Sequence, residues 1–205
     1  MTERSSHVAQ AVWWCGLSVG WAAIAGATSL IAGLVAGSIA LIGFGADSLV
    51  DGSASAVLVW RFSAEISDAS QAERVERQAA RAVGVILMLI GLYLTVAAVL
   101  ALANRSSPET SVVGVALSAA SVLVLPILAQ AKLRLAQPLA SSALHGDGVL
   151  SLAGAGLAAA TLLSLLVNSA FGWWWADAVA ALLIAATLLR ESWLITRGAL
   201  RRCVE

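Results

Sequence analysis

Ser38-Ile39-Ala40-Leu41-Ile42-Gly43-Phe44-Gly45-Ala46-Asp47-Ser48-Leu49-Val50-Asp51-Gly52-Ser53-Ala54-Ser55 is an apolar run interrupted by two aspartates four residues apart. On a helix, side chains at i and i+4 lie one turn above each other, with Cβ atoms about 6 Å apart. The two carboxylates therefore share a face. Ionised together they repel each other, and a single divalent cation or protons can neutralise both. Competition between metal and proton for one such pair provides a coupling suited to antiport. The Gly and Ser residues around the pair leave space for an ion and water.

The surroundings of this run place it in a membrane. The chain has 205 residues, of which 60% are hydrophobic and 12% charged, with a mean hydropathy of +0.90; a soluble domain carries about 25% charged residues. So much apolar surface exceeds what one water-soluble core can bury. At roughly 20 apolar residues per crossing helix, the pattern predicts an all-α bundle of six spans, at 12–34, 38–60, 80–103, 111–131, 140–167 and 173–194, between short tails at 1–11 and 195–205. The fifth span is interrupted early by His145 and Asp147.

Of the twelve Lys and Arg residues, only Arg105 falls in a loop that this arrangement places outside. The positive-inside rule then puts both termini in the cytoplasm, and a bacterial plasma membrane is the expected location. Trp13, Trp14, Trp60, Trp173, Trp174, Trp175 and Trp193 stand at span ends, where an indole suits the headgroup region. Trp21 and Tyr93 are the aromatic candidates for the bundle interior. Gly16, Gly20, Gly33, Gly37, Gly43, Gly45, Gly154 and Gly156 would allow close helix approach. The stretch 65–77 alternates acids and bases at helical spacing, and reads as a solvated helix or a cation entry site using Glu65, Asp68, Glu73 or Glu76. Cys15 and Cys203 offer no disulfide framework and no Cys-x-x-Cys spacing.

Asp47, Asp51 and Asp147 are the acids inside predicted spans. A charge near the bilayer centre costs about 2.5–3.5 kcal/mol even on a lenient scale. No Lys or Arg is predicted inside the membrane to neutralise them, and hydroxyls alone compensate two charges poorly. Ion handling is therefore preferred to a purely structural role for the pair. Asp177, at the start of a span, suits a helix N-terminus. No nucleophile–base pair, phosphate-cradling glycine loop or extramembrane domain points to an enzyme, an organic cofactor or nucleic acid.

Ser38-Ile39-Ala40-Leu41 followed by Ala46-Asp47-Ser48-Leu49-Val50-Asp51 resembles the second span of the cation diffusion facilitators. Gly172-Trp173-Trp174-Trp175-Ala176-Asp177-Ala178-Val179-Ala180-Ala181-Leu182 is similar to the start of their sixth. The resemblance implies a homodimer that moves a divalent metal against protons by alternating access. Zinc is the family default, while a carboxylate site would also accept Mn²⁺ or Fe²⁺. It places the chain in a truncated branch without the cytoplasmic metal-binding domain.

The resemblance also implies a fifth-span His-x-x-x-Asp pair that completes a tetrahedral site. Here Gly146-Asp147 aligns with the residues before that pair, which leaves Leu150 and Gly154 at the ligand positions. Asp147 lies one turn from Leu150 and Ser151, on roughly the same face. It reads as a third metal or proton ligand, as an interfacial residue, or as the partner of a polar group on another span; His145 points elsewhere. The functional expectation is a divalent cation transporter centred on Asp47 and Asp51, with Asp147 as a possible third ligand. The alternatives are a membrane protein of this fold that binds metal or partners without transporting, and a proton-coupled exporter of organic cations.

Overall fold

The computed structural model describes residues 3–64, 69–105, 109 and 111–201. Among these there are six helices and no strand: α1 (Glu3–Ala36), α2 (Ile39–Ala64), α3 (Ala69–Asn104), α4 (Val112–Ala136), α5 (Ser142–Phe171) and α6 (Trp175–Arg201). Glu65, Asp68 and Cys203 lie outside the described residues, as do the side chains of Glu73 and Glu76. Five helices are long and apolar enough to cross a membrane. The sixth has a shorter apolar run, bounded by Asp177 on one side and by Arg190 and Glu191 on the other.

A helix stands at each of the six expected spans, but the helices outrun them. A helix propagates past its apolar segment wherever nothing breaks the hydrogen-bond ladder. Thus α1 starts at Glu3 inside the expected tail, α4 continues to Ala136, and α6 continues to Arg201. The true breaks carry local signals. Gly37, at φ 67°, ends α1, and Gly172, at φ 64°, ends α5 with its N–H donating to the Asn168 carbonyl. This left-handed conformation is open to glycine without a Cβ penalty. Ser111 and Ser141 accept from the amides of Gly114 and Leu144 and so cap α4 and α5.

The helices pair as α1 with α2, α4 with α5 and α3 with α6, and α2 also touches α3, α5 and α6. Close approach of α1 and α2 depends on glycine. A Cβ built at Gly45 would stand 2.9 Å from the Gly26 carbonyl oxygen and the Leu30 amide nitrogen. Backbone cannot yield as a side chain can. Gly16, Gly20, Gly37 and Gly156, by contrast, face open space, so the expectation of close packing fails at those four.

Asp177 joins the two halves of the bundle at the end bearing the α1–α2 turn. From α6 its carboxylate accepts the Ile39 amide at 2.8 Å, the Ala40 amide at 3.3 Å and the Ser38 hydroxyl. It caps the N-terminus of a different helix, satisfying orphan amides and meeting the positive end of the α2 dipole. The bundle's outer surface is apolar, as lipid requires: Ile24, Ile31, Leu92, Val96, Leu123 and Leu163 are all exposed. Trp13, Trp60, Trp173, Trp175 and Trp193 are exposed near helix ends, and Trp173 stacks on Trp175 at 5.2 Å between ring centroids. Tyr93 also faces outward, which leaves Trp21 as the inward-facing aromatic of the two.

Gly45→Ala should cost about 1–3 kcal/mol, as overpacking of a tight contact does, and lower the melting temperature in detergent by several degrees. Gly156→Ala should leave it unchanged within error. Equal melting temperatures for the two variants would refute the close-approach argument.

Candidate cation site

On α2 the four-residue stagger continues past the aspartates, so that Asp47, Asp51 and Ser55 form one inward stripe, all buried. On α5 the facing stripe is Asp147, Ser151 and Gly154, also buried. Asp47 and Asp51 line a cavity of about 10 Å³ together with Trp21, Ala22, Ser48, Leu125 and Gly154. That is room for about one water or one small ion. A Cβ built at Gly154 would stand 3.6 Å from Asp47 Oδ2 and 3.5 Å from Leu125 Cδ1. The position that lacks a ligand in the fifth span therefore does face the aspartate pair.

Asp147 has a different partner. Lys132 Nζ lies 2.8 Å from Asp147 Oδ2, with both side chains essentially inaccessible. The same ammonium donates to Ser55 Oγ and to Ser151 Oγ, each at 2.9 Å. Its three N–H bonds are thereby all used. Ser55 in turn donates to Asp147, at 3.0 and 3.1 Å to its two oxygens. Ser151 donates to Asp51, at 3.2 and 3.3 Å. Cys15 Sγ approaches Asp147 Oδ2 at 4.0 Å from α1. One polar layer thus crosses α1, α2, α4 and α5.

This overturns the expectation that the membrane interior holds no basic residue. Lys132 was placed in the link between the fourth and fifth spans, yet α4 runs one turn further and carries it fully inside. Arg134, two positions on, is exposed, as the 100° per residue of a helix demands. Of the readings open for Asp147, the structure shows the ion pair with a polar group on another helix. His145 is exposed on the first turn of α5.

Immediately beyond the polar layer, each helix turns apolar. Ala11, Leu58, Phe62, Leu135, Leu139 and Leu144 pack together at the end bearing the termini. Water is thus kept from the ion pair on that side, where a low dielectric strengthens it. On the other side of the Asp47 cavity α2 and α5 enter a buried apolar cluster with Leu41, Phe44, Leu157 and Leu165, while α1 and α4 carry buried hydroxyls. Ser29, Ser118 and Ser121 bury their hydroxyls without a hydrogen-bond partner among the described residues, and so does the indole N–H of Trp21 at the cavity wall. Among the described residues no three His, Cys, Asp or Glu side chains converge in a metal-binding group.

A family model described as the cation efflux transmembrane domain matches residues 17–202. The chain is also similar to transmembrane protein 163 of Xenopus laevis, at 28% identity over 190 residues, which cover 91% of this chain and 66% of that protein. It therefore spans slightly less than two thirds of that relative's length.

Lys132 is the single lysine of the sequence, which makes its burial directly measurable. Amine acetylation of the folded protein in lipid nanodiscs should modify the α-amine alone, and denaturation should expose one further amine, assigned to Lys132 by peptide mass mapping. Rapid acetylation of Lys132 in the folded state would refute the buried pair.

Proposed function

The chain belongs to the cation efflux family through its transmembrane domain, and from that membership we propose that it carries a divalent metal cation across a membrane, in exchange for protons, at a site centred on Asp47 and Asp51. The single observation that carries this reading is the cavity into which both carboxylates face, deep in an apolar bundle. Two buried carboxylates on one helix face form a strong cation trap, and protons can take the cation's place.

With Gly154 opposite, the two carboxylates are the full anionic complement of the cavity lining. The remaining coordination would come from hydroxyls, such as that of Ser48 at the cavity wall, and from retained water. Such an oxygen-rich shell suits Mn²⁺ or Fe²⁺ as well as Zn²⁺. Asp147 contributes through its charge, held by Lys132. The buried hydroxyls of Ser118 and Ser121 lie on α4 between Gly114, which packs on Leu41, and Leu125 at the cavity. They supply oxygen donors between the cavity and the end of the bundle near residue 111. The apolar layer closes the opposite route in this conformation, the side that the positive charges assign to the cytoplasm.

Purified protein in proteoliposomes should take up Mn²⁺ or Zn²⁺ when a pH gradient is imposed. Asp47→Asn and Asp51→Asn should each reduce uptake to the level of protein-free liposomes. Unchanged uptake in both variants would overturn the reading. Calorimetric metal binding that depends on both aspartates, without any uptake, would instead favour a membrane protein of this fold that holds a metal and does not move it.

A further carboxylate at the unfilled ligand position gives an independent check. Gly154→Asp should tighten Mn²⁺ binding about tenfold or more, since the new side chain projects toward Asp47. Weaker or equal binding in a folded variant would place the ion elsewhere.

A further inference from the structure

Charge counting within the polar layer leads beyond the pair itself. Asp47, Asp51 and Asp147 contribute three negative charges in their ordinary ionised forms, and Lys132 contributes one positive charge. Ser55, Ser151 and the Cys15 thiol complete the layer as neutral groups. The next cations along these helices, Arg61 and Arg134, stand at the level of the apolar layer formed by Leu58, Phe62 and Leu135. Within the layer, counted over the described residues, the balance is therefore −2.

The link from Lys132 to the cavity is two hydrogen bonds long. Its ammonium donates to Ser151 Oγ, and the same hydroxyl donates onward to Asp51. A serine that accepts from a cation is polarised and becomes a better donor. The ammonium consequently stands within about 6 Å of the Asp51 carboxylate, and both groups are buried, where charge is weakly screened. It is close enough to act on a cation held there.

We propose that Lys132 is the charge-setting residue of the Asp47/Asp51 site: a tethered monovalent cation that cancels one of three buried carboxylates and leaves the charge that one divalent cation neutralises. The inference rests on the assignment of the cation site to Asp47 and Asp51. With Asp147 unopposed, the layer would hold −3 and bind a divalent ion too tightly to release it readily. With Lys132 unopposed it would hold −1, matched to a monovalent ion. The lysine thus trades affinity for turnover and favours divalent over monovalent ions.

Calorimetric titration of the full chain in nanodiscs with MnCl₂ at fixed NaCl tests this. Lys132→Met should tighten Mn²⁺ binding roughly ten- to hundredfold, the effect of removing a like charge at about 6 Å in a medium of intermediate dielectric. Asp147→Asn should weaken it by a similar factor. The double variant Lys132→Met/Asp147→Asn restores −2 and should bind within about threefold of the wild type, as should Lys132→Arg.

Either single change leaves a buried charge without its partner, and folding is checked by circular dichroism. Ser55→Asp supplies a second route to −3 with the lysine in place, and it too should tighten binding. Ser151→Ala removes a hydroxyl without altering charge and should shift affinity much less than Lys132→Met. The proposal is overturned if Lys132→Met and Ser55→Asp leave affinity unchanged or reduce it while Asp47→Asn and Asp51→Asn still abolish binding. If those two Asn variants bind Mn²⁺ normally, the assignment of the site to the aspartate pair fails, and the proposal fails with it.

Discussion

A lysine ammonium held by a carboxylate and two hydroxyls, inside an apolar bundle, is the interaction on which the interior of this protein depends. Either charge alone would be costly at that depth, and removal of one member of a buried pair usually destabilises more than loss of both. Complete use of the three N–H bonds of Lys132 fixes Ser55 on α2, Ser151 on α5 and Asp147 on α5 relative to α4. Those three fixed points align the stripe carrying Asp47 and Asp51 against the stripe carrying Gly154. The cavity exists between them because the two stripes are held in register while the residue opposite Asp47 has no side chain.

The layered interior follows from the same constraint. Going from the termini inward, α1, α2, α4 and α5 present in turn an apolar layer, the ion-pair layer and the aspartate cavity, and α1 and α4 then add buried hydroxyls. The groups of the ion-pair layer satisfy one another, with the apolar layer on the side of the termini and, beyond the cavity, Leu41, Phe44 and Leu157 of α2 and α5 on the other. The lipid-facing surface takes no part in this order. Its exposed leucines, valines and isoleucines match the hydrocarbon around them, so the helices are held by shape and by the few polar contacts.

Much of this was legible in the residues. Six helices, five of them apolar enough to cross a membrane, the shared face of Asp47 and Asp51, and the helix N-terminal role of Asp177 follow from hydropathy, from the i, i+4 rule and from the helix dipole. The family resemblance put Gly154 at a ligand position, and it does face Asp47. Lys132 escaped because hydropathy windows end a span at the first charge, whereas a helix continues until something breaks it. The spacing of Lys132 and Arg134 held the missing signal: residues two apart on a helix cannot both face solvent on one side. Asp177 was placed correctly as to chemistry but not as to partner, since no local pattern shows that a carboxylate on α6 caps α2. Cross-helix contacts of that kind arise only from tertiary packing.

That cap has a mechanical meaning. Hydrogen bonds of 2.8 and 3.3 Å from the Ile39 and Ala40 amides to one carboxylate tolerate rotation about the bond axis but not translation along the helix. A slip of α2 against α6 by a single residue rise, about 1.5 Å, would carry the shorter bond out of range. α1 and α2, by contrast, meet at Gly26 and Gly45 through close backbone approach, a contact of shape and not of a hydrogen bond. The first turns of α2 and α6 are therefore pinned like a hinge. α2 is thus tied to α6 at its first turn, through Asp177, and to α4 and α5 at mid-helix, through Ser55, so that any rocking of α6 with its neighbour α3 is carried along α2 to the layer of Asp51 and Ser55.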